Sequence, residues 1–219
     1  MTSTTTLPTA EWFPGDFFRI PVLAVLRGLS LTESVRLSER AWDAGVQHVE
    51  IPIQTADAVP VLKAVAEAAA ERGLVVGAGT VTNLEQLDAA EKVGVAFTVS
   101  PGFSPEIVAE SVRRGIPHLP GVATATEILQ ARALGLRWVK VFPASILGPN
   151  WAKSMKGPYP DMNFIATGGV TALNAPDFLS SGVSVVGLSS SFGDDAQLEL
   201  VRGLIAASAA SALTGAGRK

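Results

Sequence analysis

Short apolar runs alternate with longer stretches of helical period along the chain. The runs are PVLAVLRG, HVEIPI, LVVGAG, AFTVS, PHLPG, WVKVFPA, NFIATGG and SVVGLSS, beginning at residues 21, 48, 74, 96, 117, 138, 163 and 184. Each has the length and bulk of a strand buried on both faces. The stretches between them place apolar residues at helical spacing, as in SVRLSERAWDAG and SPEIVAESVRRG, and most close on a glycine. Gly45, Gly73, Gly94, Gly115, Gly135 and Gly182 fill that position. A glycine just past a helix accepts the left-handed conformation that ends it. The interval from Gly135 to Gly182 is about two units long and contains the seventh run, introduced by the turn GPYPD. A last helical pattern covers residues 196–212.

Eight strands, each followed by a helix, predict parallel pairing through helical crossovers. Eight units favour a closed (β/α)8 TIM barrel in a single domain over an open doubly wound sheet. The barrel is placed at residues 21–212, after an extension and capping segment at 1–20 and before a tail at 213–219. The first seven residues are rich in Ser and Thr and are expected to fray. The stretch EWFPGDFF reads as a short N-terminal helical segment or an aromatic plug.

Composition narrows the chemistry. A formal net charge of −3 with no block of Lys and Arg argues against nucleic acid as a partner. The chain has no cysteine, which excludes disulfides, thiolate metal sites and thiol catalysis. No apolar run approaches a membrane span, and no secretory signal pattern opens the chain, so the expectation is a cytoplasmic protein with no membrane partner. No His, Asp and Glu group has metal-ligand spacing, and neither a Walker A loop nor a nucleophile elbow occurs.

In a barrel of this kind the chemistry sits at the C-terminal ends of the strands. Two ionisable residues stand inside strands among apolar neighbours: Glu50 and Lys140. They form either a buried ion pair that holds the barrel interior or a Schiff-base lysine with a carboxylate that moves protons. Desolvation favours the neutral, nucleophilic amine, whereas a nearby carboxylate favours the charged one. Arg27 ends the first strand as an anion clamp or a solvated charge. The glycines of ATGGVT and VGLSSS offer backbone N–H groups where barrels commonly hold phosphate, or simply let the chain turn. GAGT at residues 77–80 is not a dinucleotide fingerprint, because Thr82 stands where a third glycine is needed. Thr80 is a hydroxyl at the barrel mouth or a helix cap. His48 and His118 begin their strands, at the end away from chemistry, and read as structural. Lys153 and Lys156 read as residues of an exposed helix.

The motifs VLR, VEIPIQT, VGAGTV, SPG, LPGVAT, VKVFPA, ATGGV and GLSS occur in that order from about Pro21 to Phe192. With Glu on the second strand and Lys on the sixth, the chain resembles the class I aldolases that cleave 2-keto-3-deoxy-6-phosphogluconate (KDPG), many of which also cleave 4-hydroxy-2-oxoglutarate. The resemblance implies a Schiff base at Lys140 and acid/base work by Glu50. It implies that Thr80 and Pro101 line the pyruvyl end, that Phe142 packs against it and that Thr167 lies near the substrate hydroxyls. Gly168, Gly169 and Ser189 would cradle the phosphate. The substrate would be a small keto acid, cleaved to pyruvate and glyceraldehyde 3-phosphate. The assembly would be a homotrimer with no cofactor and no metal. One position departs from the gluconate pattern: Gln54 stands where an Arg commonly holds the substrate carboxylate. An amide cannot make that bidentate charged contact. The amide and the spelling EIP look more like the 2-keto-3-deoxy-6-phosphogalactonate branch, with Arg27 left to carry the carboxylate. Two rival readings are a phosphate-binding barrel isomerase or synthase without a Schiff base, and a noncatalytic sugar-phosphate binder.

Overall fold

The structure, a computed structural model, describes residues 12–216, with side chains to residue 210. Among the described residues nine strands form one sheet: β1 (Val22–Val25), β2 (His48–Pro52), β3 (Val75–Gly79), β4 (Phe97–Val99), β5 (His118–Leu119), β6 (Gly121–Val122), β7 (Trp138–Val141), β8 (Asn163–Ala166) and β9 (Val185–Leu188). All pairings are parallel. The sheet runs β5-β4-β3-β2-β1-β9-β8-β7-β6. Its two edges, β5 and β6, are consecutive in the chain and flank Pro120, so the sheet closes into a barrel. The expected fifth strand is thus split in two. Pro120 has no N–H to give to a ladder, although its carbonyl still accepts from the Lys140 amide at 2.8 Å.

The crossovers are α1 (Leu31–Asp43), α2 (Ala58–Glu71), α3 (Leu84–Val93), α4 (Pro105–Arg114), α5 (Ala125–Ala133), α6 (Ala144–Leu147), α7 (Pro149–Lys156), α8 (Ala175–Ser180) and α9 (Asp195–Ala216). The six glycines predicted to end helices all have positive φ. The sequence pattern did not reveal the one-turn α6 or the 3-10 turn at Ser190–Phe192, and α9 runs past residue 212, where the barrel was expected to stop. Lys153 is exposed as expected, but Lys156 is not: its ammonium donates to the Met162 carbonyl and lies 5.4 Å from the Phe164 ring centroid.

Alternation along each strand builds two cores. Outward residues such as Val49, Ile51, Val139, Val141 and Phe164 pack under the helices. Inward residues Leu23, Val25, Phe97, Val99, Leu119, Ile165 and Val185 fill the barrel. The N-terminal mouth is sealed from outside. Phe13, Phe17 and Phe18 pack on one another and on Phe97, and Phe18 also packs on Trp138. This is the aromatic plug and not the helical segment. Among the described residues the stretch makes turns, because Pro14 and Gly15 start a chain reversal in which the Phe17 amide donates to the Pro14 carbonyl. Residues 1–11, including the Ser/Thr-rich start, lie outside the described residues.

Both histidines belong to this scaffold. His48 stacks on Phe17 and its Nε2 lies 2.6 Å from the Phe17 carbonyl oxygen. His118 is wholly buried, between Thr98 Oγ1 at 2.8 Å from Nδ1 and Ser100 Oγ at 3.1 Å from Nε2. Ser100 Oγ donates its only proton to the Gly102 carbonyl, so the Nε2 of His118 is the donor and Nδ1 accepts from Thr98. Burial holds the His118 pKa down at about 3.

Candidate active site

The barrel has eight strand positions if β5 and β6 count as one, and β2 and β7 lie opposite each other across it. Glu50 points inward from β2, and Lys140 points inward from β7, between the inward Trp138 and Phe142. The two meet across the lumen with Nζ and Oε1 3.6 Å apart, at 2% and 0% exposure. That separation is too long for a hydrogen bond. Neither Glu50 oxygen has a hydrogen-bond partner among the described residues. The pair is held by charge, in surroundings where an unpaired charge would be costly. The carboxylate keeps its lone pairs free for a hydroxyl brought to it.

Glycine makes this meeting possible. A Cβ added at Gly79, on the inner face of β3, would lie 2.1 Å from Glu50 Oε1. One added at Gly77, deeper on the same face, would lie 2.3 Å from the Phe97 ring. The two glycines of GAGT therefore leave room for large side chains from neighbouring strands to cross over β3.

Around the pair stand further candidates. The Lys140 ammonium is 5.3 Å from the Phe142 ring centroid. Phe142 in turn covers Gly168, where an added Cβ would come within 2.9 Å of the ring. The hydroxyls of Thr80 and Thr167 are buried with no hydrogen-bond partner among the described residues. Thr80 does not cap the helix that follows: Asn83 does, accepting from the Gln86 amide at 2.8 Å. The Pro101 carbonyl packs against Gly121, where an added Cβ would lie 2.2 Å from its oxygen, and the adjoining Ser100 and Gly102 are fixed by the His118 network.

The remaining candidates ring the rim. Arg27 and Gln54 follow β1 and β2, are exposed, and bond to no other described side chain. Gly168 and Gly169 follow β8 with φ of +90° and +77°, and Ser189 follows β9, exposed. The amides of Gly168 and Gly169 donate to no described residue. Ser145 was not singled out from sequence. Its amide donates to the Gly168 carbonyl at 2.9 Å, and its side chain fills the space over Gly169. It sits on α6, which no apolar period announces.

The profile of the KDPG and KHG aldolase family matches residues 17–201. The chain belongs to that family. It is 35% identical over 173 residues to the 2-dehydro-3-deoxy-6-phosphogalactonate aldolase of Escherichia coli strain K12, which covers 78% of this chain and 84% of the relative. It is 36% identical to the 2-dehydro-3-deoxy-phosphogluconate aldolase of Pseudomonas aeruginosa, over 74% of this chain and 71% of the relative. Among solved structures it superposes on the KDPG aldolase of Legionella pneumophila, captured with pyruvate as a covalent carbinolamine, with a TM-score of 0.74 and 26% identity. That superposition covers 91% of this chain and 97% of the other.

Proposed function

We propose that this aldolase cleaves a 2-keto-3-deoxy-6-phospho sugar acid through a Schiff base on Lys140, with Glu50 moving the protons. The observation that carries the assignment is the buried amine and carboxylate facing each other 3.6 Å apart across the barrel. The Lys140 amine adds to the C2 ketone, and the carbinolamine loses water to give an iminium. Glu50 takes the proton of the C4 hydroxyl. The C3–C4 bond then breaks, its electron pair enters the iminium to form an enamine, and C4 leaves as the aldehyde of glyceraldehyde 3-phosphate. Protonation of the enamine at C3 and addition of water release pyruvate and return the amine. Phe142 walls this chamber. The buried, unpartnered hydroxyls of Thr80 and Thr167 suit the pyruvyl end and the sugar hydroxyls. Pro101 closes the pyruvyl side, and Gly168, Gly169 and Ser189 offer the phosphate cradle.

Position 54 favours a second reading of substrate choice. Gln54 is uncharged, and the exposed, unpaired Arg27 is then the cation available for the substrate carboxylate. This fits 6-phosphogalactonate stereochemistry, and both branches are represented among the relatives at near-equal identity. Initial rates on the two sugar acids and on 4-hydroxy-2-oxoglutarate decide among them. Replacing Gln54 with Arg should move preference toward the gluconate isomer, and no movement would remove position 54 from specificity.

Homotrimeric assembly, a cytoplasmic location and the absence of nucleic-acid or membrane partners belong to the same reading. They are supported by the family resemblance, the mild acidity and the lack, among the described residues, of a helix long and apolar enough to cross a membrane. Light scattering should give three times the 22.7 kDa chain mass.

The mechanism is tested by incubating the protein with pyruvate and borohydride and locating the adduct by peptide mass spectrometry. A pyruvyl-derived mass on Lys140, lost in Lys140→Ala, is expected. Folded protein with no adduct would return Lys140 to a structural or anion-binding role.

A further inference from the structure

Thr80 is the one residue other than glycine with positive φ among the described residues, at +59°. A β-branched side chain keeps that conformation only where its surroundings hold it. The bonds on either side of it are visible. The Gly79 carbonyl accepts from the Ile53 amide at 2.8 Å, and the Val81 amide donates to the Val99 carbonyl at 2.9 Å. Next in the chain, the amide and hydroxyl of Thr82 both donate to Oε1 of Gln86, at 2.7 and 2.9 Å. The Nε2 of the same side chain donates to the Ile53 carbonyl at 3.0 Å. One side chain in the first turn of α3 thus ties the loop after β3 to the end of β2. The tied points adjoin two residues of the mouth: Thr80 lies two positions before Thr82, and Gln54 directly follows Ile53.

We propose that Gln86 is a positioning residue that holds Thr80 and Gln54 at a fixed separation and so sets the affinity for the keto acid, an inference that rests on the aldolase reading above. The alternative duty for a glutamine at this helical position is to cap α3. The cap itself is already made, by Asn83 accepting from the Gln86 amide. A capping duty for the Gln86 side chain would use Oε1 alone. The bond from Nε2 reaches a residue 33 positions upstream, in a different β/α unit, and contributes nothing to the end of the helix.

Acceptance and donation can therefore be separated. Gln86→Glu still accepts from Thr82 and places a negative charge favourably at a helix N-terminus, but it cannot donate to Ile53. Asn83→Ala does the converse, weakening the cap while leaving the bridge intact. Three quantities are measured on each: the pyruvate concentration for half-maximal borohydride trapping on Lys140, KM against kcat for the cleaved keto acid, and Tm. Gln86→Glu should raise the half-maximal pyruvate concentration and KM by roughly threefold to tenfold, the loss of one hydrogen bond, with a smaller fall in kcat and Tm kept within about 2 °C. Asn83→Ala should lower Tm and leave both concentrations in place. Wild-type values in Gln86→Glu, or an equal rise in KM in Asn83→Ala, would overturn the assignment. Failure of wild-type protein to trap pyruvate would overturn the aldolase reading and this one with it. Trapping on Lys140 that is indifferent to Gln86→Glu overturns this one alone.

Discussion

Gly79 sets where the Glu50 carboxylate can stand. Any side chain there would overlap not only Oε1 of Glu50 but also its Cδ and Cγ, at 2.7 and 2.8 Å from the added Cβ. Glu50 is fully buried, so the carboxylate must swing or β3 must back away. Misplacing a reacting group by about 1 Å can cost on the order of 100-fold in rate. Gly79→Ala is therefore expected to lower kcat by about two orders of magnitude while pyruvate trapping on Lys140 persists. Rates within about threefold of wild type would mean that the position of Glu50 does not limit turnover. The lysine and glutamate were legible in the sequence because charge inside an apolar run is conspicuous. The glycine stands in a run whose only local meaning is a failed nucleotide motif. Its reason lies in a side chain from the neighbouring strand β2, a relation that no local pattern contains.

At the scale of elements, the alternation of strands and helices and the glycine stops made the barrel readable from the sequence. The fifth strand reads as one run in the sequence; that Pro120 divides it into two pieces closing the ring needed the pairing. The meeting of β2 with β7 follows from closure alone: eight positions put the second opposite the sixth. What the sequence could not carry was the network that joins β4 to β5. His118 reads as a lone histidine at a strand start, and only the fold brings Thr98 and Ser100 to its two nitrogens. Its pH consequence is definite. An unfolded imidazole takes up a proton near pH 6.5, whereas the folded one resists down to about 3. The unfolded state binds more protons in that interval. The stability due to neutral His118 is thus complete above pH 6.5 and falls as pH drops toward 3, by about 1.4 kcal/mol per unit. Between pH 6.5 and 5, urea unfolding should show wild type losing about 2 kcal/mol more than His118→Asn. His48, also held below its usual pKa by burial, is present in both proteins and cancels. Equal losses in the two proteins would mean that His118 gains access to water without unfolding.

The whole molecule divides its work between two ends of one barrel. The N-terminal end is closed by Phe13, Phe17 and Phe18 over Phe97, and the proposed chemistry belongs to the other end. From sequence the stretch reads as a short helical segment or an aromatic plug, because a cluster of aromatics beside a proline and a glycine fits either. Only the lumen beneath it decides. The division is not complete, since Phe18 packs on Trp138 at 4.9 Å between centroids, and Trp138 shares the inner face of β7 with Lys140 two residues on. A rigid barrel and a coupled one therefore predict different outcomes for Phe18→Ala. Both lose about 3 kcal/mol or more of stability, the cost of removing a buried aromatic ring. In a rigid barrel the loss stays at the closed end, because β7 is paired on both edges and its backbone is fixed by β6 and β8. We expect that outcome: lower stability in urea, with kcat/KM at 25 °C within about twofold of wild type, since the hydrogen-bonded ladders on both sides of β7 resist its displacement. A tenfold fall in kcat in protein still folded at the assay temperature would instead mean that the plug sets the height of Lys140 through Trp138. The closed end would then be part of the catalytic apparatus.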